Sequence, residues 1–454
     1  MEAEAYVQEL VAKARAAQKI AEGFTQEQVD AMAKAMAKVI FDHAEELSRL
    51  CVDETRMGVY EDKVNKCKGK ARILWSDVKG KKTVGIIREL PELGITEVAK
   101  PMGVVGAVTP TTNPVVTPMC NAMFCIKGRN AVIVCPHPRA KKCTYLACKY
   151  MQEEIVKLGA PADLIQCVEE PTMDISREVM HQCDICISTG GGGMVKAAYS
   201  SGKPAFGVGA GNVQSIIDDD VDLEVEIPKI IESRCFDNGI ICSGEQTAIT
   251  PRSKYDEMVR IMQKNGAYYV EKPEELQALR DTIFPDEKMN KDCVGQSAKK
   301  VAEMAGIKVP ENTRMLLLKV EESGHGEVFA GEKMCPCLAA YKYDTWEEAV
   351  AIANANLEVN GKGHSVAIHS NNDEHIKYAA SVLPVSRFLI NQVCATANGG
   401  SFFNSLSATT TLGCGSWGNN SISENLSWKH LINVSRIAKV RPGSYMPTDE
   451  EIWA

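Results

Sequence analysis

The residues with the clearest chemical capacity lie in the run Phe236-Asp237-Asn238-Gly239-Ile240-Ile241-Cys242-Ser243-Gly244-Glu245-Gln246. Asn-Gly breaks a strand before Cys242 and Ser-Gly breaks one after it, so the cysteine belongs at the end of a loop, where a thiol can point into a cleft. Cysteine is the side-chain nucleophile that works best near neutral pH, because part of it is already thiolate. The chain holds 17 cysteines, and most of them must be small buried hydrophobes. Cys242 stands apart because other segments agree with it.

Four consecutive glycines, Gly190, Gly191, Gly192 and Gly193, follow the apolar run Ile185-Cys186-Ile187-Ser188-Thr189 and precede the helical pattern from Met194 to Tyr199. A strand, a glycine turn and a helix N-terminus make a seat for a dinucleotide phosphate or ring, and four glycines exceed what a plain turn needs. Gly207-Val208-Gly209-Ala210-Gly211-Asn212 has a similar spacing but opens no helix, so it is set aside. In Thr109-Pro110-Thr111-Thr112-Asn113-Pro114 a proline-bracketed Asn at a strand end can aim an amide donor into a cleft. Glu332-Lys333-Met334-Cys335-Pro336 says little by itself. Cys183-Asp184-Ile185-Cys186 has redox or zinc spacing, yet it has no partner pair and runs into an apolar strand, which favours a structural role. The eight histidines show no metal-ligand spacing, so no metal and no zinc hydrolase is expected.

These residues need a scaffold. Val7, Leu10, Val11 and Ala14, then Met32, Met36, Val39 and Ile40, fall at helical spacing and predict two or three amphipathic helices over 4–50. Residues 83–99 alternate and turn around Pro91-Glu92, the pattern of an exposed β-hairpin. Strands at 104–108, 131–135, 164–168 and 185–188 alternate with helices at 115–127, 140–157 and 174–181, which gives βαβ units and a parallel sheet. A second α/β series follows Cys242, with strands near 246–250, 314–320, 337–343 and 365–369 and helices at 253–264, 273–282 and 346–355. The tail at 431–440 reads as a closing strand.

Composition removes several classes of function. A net charge of −8 with no basic stripe argues against a nucleic-acid partner. Seventeen cysteines without framework spacing fit a reducing cytoplasm. The start Met1-Glu2-Ala3-Glu4-Ala5 lacks the charged and apolar regions of a secretion leader, and no run of 18 apolar residues suggests a membrane span. A cytoplasmic protein is expected.

Taken in order, the pieces resemble the aldehyde dehydrogenase superfamily along nearly the whole chain. Asn113, His137-Pro138, Thr189 to Gly193, Cys242, and Glu332 with Pro336 stand where that family has its proline-flanked Asn, its Lys-Pro-type motif, its glycine turn, its nucleophile and its Glu-x-x-x-Pro. The resemblance implies an α/β fold with a Rossmann-like cofactor domain over 1–231, interrupted by an oligomerisation hairpin at 83–99. A catalytic α/β domain over 232–412 follows, then a tail over 413–454 that returns to the cofactor domain. It implies Cys242 as nucleophile and Asn113 as oxyanion donor. It places the cofactor against Thr109, Pro110 and Thr111, against His137, Pro138 and Arg139, against Ser188, Thr189 and the four glycines, and near Gly207 and Glu332.

The departures narrow the branch. Hydrolysing members carry a general-base Glu in a Glu-Leu-Gly-Gly segment, which here looks like Gly207-Val208-Gly209-Ala210. Without that carboxylate a thioester should persist until coenzyme A arrives, which implies a CoA-acylating dehydrogenase. The runs Pro110 to Asn121, Phe236 to Gln246 and Gly413 to Asn425 look like acylating members that interconvert succinyl-CoA and succinate semialdehyde; acetaldehyde and propionaldehyde types are the alternative. A hydrolysing enzyme or a non-catalytic protein on this fold ranks below both. By correspondence the acyl pocket includes Pro118, Asn121, Ile241 and Ser243. None is cationic, which leaves Arg234, Arg387 and the Lys66/Lys70/Arg72 face as candidates to hold a carboxylate. Position 140, where NAD-preferring relatives often carry an acid, is Ala, with Arg139, Lys141 and Lys142 beside it. NADP is therefore expected, with NAD possible. The apolar hairpin and tail strand are expected to pair between subunits, giving a homodimer or homotetramer.

Overall fold

The computed structural model describes residues 2–454; Met1, the head of the acidic start, lies outside them. Four helices come first: α1 (Glu2–Ala21), α2 (Gln26–Asp42), α3 (Ala44–Thr55) and α4 (Tyr60–Val78). Thr25 caps α2 in a capping box with Gln28, which satisfies two otherwise orphaned backbone donors. Val29, Met32, Ala33, Met36, Ala37 and Ile40 give α2 a buried stripe, and it packs on α4 and on two helices of the sheet that follows.

That sheet contains β3 (Val104–Val108), β4 (Ala131–Cys135), β5 (Ile165–Cys167), β6 (Ile185–Thr189) and β7 (Ala205–Val208), with β1 (Gly85–Leu90) and β2 (Ile95–Pro101) forming the hairpin ahead of it. Helices α5 (Val116–Lys127), α6 (Lys141–Lys157), α7 (Met173–Gln182) and α8 (Gly192–Tyr199) make the crossovers. The five strands are parallel in the order β5-β4-β3-β6-β7. Every residue of β3 and β4 is buried, as strands covered on both faces require. The order reverses between β3 and β6, and the crevice outside the carboxyl ends at such a switch point is where doubly wound sheets take ligands.

The second sheet has seven strands, β8 (Gln214–Ile217), β9 (Thr247–Pro251), β10 (Ala267–Val270), β11 (Met315–Lys319), β12 (Cys337–Tyr343), β13 (Val366–His369) and β14 (Phe388–Ile390), in the order β10-β11-β12-β9-β8-β13-β14. The expected boundary at residue 231 falls inside it. Strand β8 pairs with β9 and β13, and the following helix α9 (Leu223–Cys235) packs Ile227, Ile230 and Ile231 against Ala248, Leu317 and Leu338. Burial of α9 assigns 214–231 to the second sheet, so the first unit ends just after β7.

The hairpin and tail correct a second expectation. Strand β15 (Ile432–Ala438) pairs antiparallel with β2 of its own chain, from Ile432↔Pro101 to Ala438↔Ile95, giving a three-stranded sheet β1-β2-β15. Asn130 explains the delivery. Its Nδ2 donates to Leu431 O (2.7 Å) while its Oδ1 accepts from Met102 N (2.6 Å) and Gly103 N (3.0 Å), so one buried amide ties the tail to the end of β2. Ile86 and Ile437 on this sheet stay exposed.

Asn130→Ala should leave two buried N–H groups and a buried carbonyl without partners, at roughly 1–3 kcal/mol for each orphaned group. A loss of about 3 kcal/mol or more in unfolding free energy, measured in urea, is the expected outcome; a loss under about 0.5 kcal/mol would remove Asn130 as the anchor.

Candidate active site

Cys242 lies in the loop between α9 and β9, so it stands at the amino end of the second sheet, facing the carboxyl ends of the first. Asp237 (φ 52°), Asn238 (φ 53°) and Gly239 (φ 69°) are consecutive left-handed residues, a sharp reversal that ends the helix and turns the chain toward the cleft. The half-buried Cys242 forms part of the wall of a cavity of about 310 Å³. Lys66, Lys70, Asn113, Ser243, Gly399 and Thr409 line the same space. Cys242 and Asn113, which lie 129 positions apart in the chain, are thus brought into one cavity. Ile241 also lines it, but Pro118 and Asn121 do not: both are enclosed in α5. The fully buried α5 keeps them from the acyl group, a correction to the expected pocket.

Burial pushes the Cys242 thiol up to about 12, with Glu332 and Cys414 adding to the rise and Arg387 opposing it. Behind the nucleophile Glu245 is fully buried and its carboxyl is pushed up to about 8 by the same cause, so at neutral pH it adds little negative charge. Glu332 accepts the Gly211 N–H at 3.2 Å, and burial pushes its carboxyl up to about 7. A Cβ on Gly211 would collide with the Cys242 carbonyl, so Glu332, Gly211 and Cys242 form one continuous contact.

On the first sheet, Thr109 and Ser188 sit at the ends of neighbouring strands β3 and β6, their hydroxyls buried without a partner. Thr189 Oγ1 meets Thr411 Oγ1 at 3.1 Å. A Cβ on Gly190, Gly191, Gly192 or Gly193 would meet nothing within 4 Å, so the N-terminus of α8 opens on free space. Orphaned hydroxyls beside an open glycine turn fit a dinucleotide. Pro110 and Thr111 are half-buried in the loop from β3 to Asn113. His137 Nδ1 accepts the Arg139 N–H at 3.1 Å, capping the short turn Pro138–Ala140; burial and Arg139 hold its pKa below the ordinary histidine value.

Two expectations change here. Lys141 is ion-paired with Glu170, and the Glu54 carboxylate, from α3, accepts from Lys142 N (2.8 Å) and Cys143 N (2.9 Å) at the start of α6. The three local cations are therefore not alone: a carboxylate distant in sequence caps this helix. Gly207 is clamped by Tyr199, whose hydroxyl accepts the Gly207 N–H at 2.8 Å and donates to its carbonyl at 3.3 Å. A Cβ there would meet Val195 and Tyr199 at 2.7 and 2.8 Å. A side chain at 207 would thus point into α8, whereas the next residue, Val208, belongs to the small apolar cluster on which Cys242 packs. Neither position carries an acid.

The structure sorts the cations that sequence left open. Arg72 stacks on Phe41, and Arg234 is spent on the carbonyls of Glu245, Gly239 and Lys333. Arg387 bonds Ser365, Asn425 and the His364 carbonyl. Lys66 Nζ is paired with Asp237 at 2.6 Å. Lys70 Nζ has carbonyl partners alone, Gly399 O at 2.9 Å and Thr409 O at 3.4 Å, and burial lowers its pKa to about 8. Sequence reasoning missed His364. It is fully buried with both ring nitrogens unpartnered, and burial beside Arg387 lowers its pKa to about 3, which keeps it uncharged. Its neighbour Gly363 presses on Cys414 of the Cys242 cluster.

With its thiol raised to about 12, Cys242 in the free enzyme should be alkylated slowly by iodoacetamide. Its rate should rise about tenfold per pH unit from 7 to 10, following the thiolate fraction. Peptide mass spectrometry measures this, and a plateau below pH 8 would contradict the geometry.

Residues 1–279 match the model of the aldehyde dehydrogenase family. The chain is 53% identical over 453 residues, the full length of both, to a succinate-semialdehyde dehydrogenase (acetylating) of Clostridium kluyveri. Its fold superposes on an acetylating aldehyde dehydrogenase from Geobacillus thermoglucosidasius with a TM-score of 0.94 at 37% identity, covering 99% of each chain. It is also similar to a propionaldehyde dehydrogenase of Rhodopseudomonas palustris solved with bound CoA and an acylated cysteine (TM-score 0.84, 27% identity, 96% and 97% coverage). A cysteine in a cavity facing the switch point of a doubly wound sheet, a family model over more than half of the chain and full-length relatives of this kind make the chain a member of the aldehyde dehydrogenase family.

Proposed function

We propose that the protein is a CoA-acylating aldehyde dehydrogenase that interconverts succinyl-CoA and succinate semialdehyde through a thioester on Cys242. The observation that carries the substrate is Lys70: a buried ammonium, without a carboxylate of its own, lines the cavity that holds Cys242 and Asn113. A charge left on carbonyls in a cavity wall is poised for an anionic group from the substrate. Lys66, already neutralised by Asp237, is the weaker candidate. An acetyl or propionyl group would leave Lys70 idle, which sets the acetaldehyde and propionaldehyde readings second.

In the oxidative direction Cys242 Sγ gives up its proton to solvent and bonds to the aldehyde carbon. The Asn113 amide and the Cys242 backbone N–H then face the oxygen that becomes negative; one such donor contributes about 3–4 kcal/mol. The nicotinamide cofactor, when bound, supplies the chemistry of hydride acceptance, and Thr109, Ser188, Thr189 and the glycines from Gly190 to Gly193 hold it. No acid on β7 activates water against the acyl group, so the thioester waits. The CoA thiol, having given up its proton to solvent, then attacks it, and Cys242 departs as thiolate. The C. kluyveri relative's name joins succinate semialdehyde to acylation, and the R. palustris structure carries the acyl group on a cysteine; in this chain that position is Cys242.

Among the described residues Arg139 and Lys142 form no ion pair, unlike Lys141, and they hold the 2′-phosphate of NADP(H), with NAD the alternative. The exposed Ile86 and Ile437 of the three-stranded sheet suit a second copy, so the unit is a homodimer or homotetramer. Seventeen free thiols suit a reducing cytoplasm, and no helix is long and apolar enough to cross a membrane among the described residues.

Specificity constants for succinyl-, acetyl-, propionyl- and butyryl-CoA, measured side by side with NADPH and with NADH, test this reading. Succinyl-CoA with NADPH should rank first. Lys70→Met should lower the succinyl constant about 10–150-fold, the worth of one charge-assisted contact, while changing the acetyl constant less than about threefold. Equal losses on both would leave Lys70 without a part in specificity and favour the short-chain reading.

A further inference from the structure

The loop that carries Cys242 is locked to the loop that carries Asn113 through one buried ion cluster. Asp237 is fully buried, and its carboxylate is shared by three donors from a single segment: Val59 N to Oδ1 at 2.9 Å, and Lys63 Nζ and Lys66 Nζ to Oδ2 at 3.0 and 2.6 Å. The contact is reciprocal, since the Asp237 N–H donates to Asp62 Oδ2 at 2.8 Å. Gly58 has no room for a Cβ because the Asp237 carboxylate occupies that space. All of these partners belong to α4 or the turn that leads into it, whereas Asp237 stands five residues before the nucleophile.

Lys66 extends the cluster to the other side of the cavity. Its Nζ also donates to Thr112 O at 3.3 Å, the carbonyl bonded directly to the nitrogen of Asn113. Among the described residues, Lys66 alone donates to both loops. Lys63 and Lys66 together balance Asp237 and Asp62, but charge balance does not require that one of them also reach the Thr112 carbonyl. Stability explains the arrangement poorly as well. A buried ion pair about breaks even against its desolvation, and the left-handed Asp237 and Asn238 add backbone strain. Strain of this kind persists where the surroundings over-determine it, and it gathers at active sites.

We propose that Lys66, held by Asp237, is a positioning residue that sets the Asn113 amide and Cys242 at the separation the developing oxyanion requires. The inference rests on reading Asn113 as the oxyanion donor. A donor displaced by about 1 Å loses much of its effect on the transition state while the bound substrate hardly registers it. The signature is therefore a fall in kcat with little change in KM.

The test is a double-mutant cycle on acyl-CoA reduction by the full-length enzyme. Lys66→Met removes the bridge and leaves Asp237 paired with Lys63 and Val59, so the fold keeps its anchor. It should lower kcat 10- to 100-fold with KM within about twofold, and Lys66→Arg, which can reach both oxygens, should recover most of the loss. In an Asn113→Ala background Lys66→Met should cost less than about twofold, because the group it positions is gone. Asp237→Asn, which presents a donor to two ammonium groups, should follow the same pattern. An equal loss in both backgrounds, or a loss in KM with kcat unchanged, overturns the proposal and makes Lys66 a structural residue or a substrate contact. An Asn113→Ala enzyme with undiminished kcat overturns the donor reading first, and the positioning role with it.

Discussion

The site depends on one meeting of edges: the carboxyl ends of a five-stranded parallel sheet abut the loop that enters the amino end of a seven-stranded one. Parallel strands need crossover helices, and the switch between β3 and β6 leaves a crevice that no helix fills. That crevice supplies strand-end hydroxyls and the open glycine turn. The facing loop supplies a thiol. Neither half has both, so the chemistry exists where α4, Asp237 and Lys66 hold the halves in register.

The charges around the cavity follow from that junction. Lys66 and Lys70 line it, and Arg387 is buried beside Cys242 and Cys414. Glu245 and Glu332 behind the nucleophile position are shifted upward by burial, while Glu232 also lines the cavity. Lys70, without an acidic partner of its own, suits an acid bearing a free carboxylate. The packing also bears on water. Tyr199 and Val195 fill the space beside Gly207, so an acid placed there by substitution would have to displace an aromatic ring held by two hydrogen bonds. Retention of the thioester is thus built into the packing of α8 on β7, beyond the absence of one side chain.

Much of this was legible in the chain. Strands 104–108, 131–135 and 337–343 are continuous apolar runs between clear breakers, and the structure places them at those residues. Cys242 and Asn113 announced themselves through the turn residues around them, and the structure puts them in one cavity. Helix α4 was harder to see, because Tyr60–Val78 is rich in Lys and its buried stripe of Lys63, Cys67, Ala71, Leu74 and Val78 is led by a lysine; the residues that make it important are the lysines that blurred its pattern. Strand β8 is four residues long, too short for its sheet to be legible in the sequence. The roles of Glu54 and Asn130 rest on contacts with residues distant in the chain, and no local spacing encodes them. Apolar content correctly marked the hairpin and tail as partners, but the side to which the tail is delivered depends on one amide, Asn130.

The central claim is that Cys242 holds an acyl group that only CoA removes efficiently. Enzyme mixed with succinate semialdehyde and NADP+ in the absence of CoA should form about one reduced cofactor per active site and then stop, with the succinyl group found on the Cys242 peptide, until added CoA restores turnover. Sustained turnover without CoA would contradict the account and give Glu332, the carboxylate already in contact through Gly211, the part of a water-activating base.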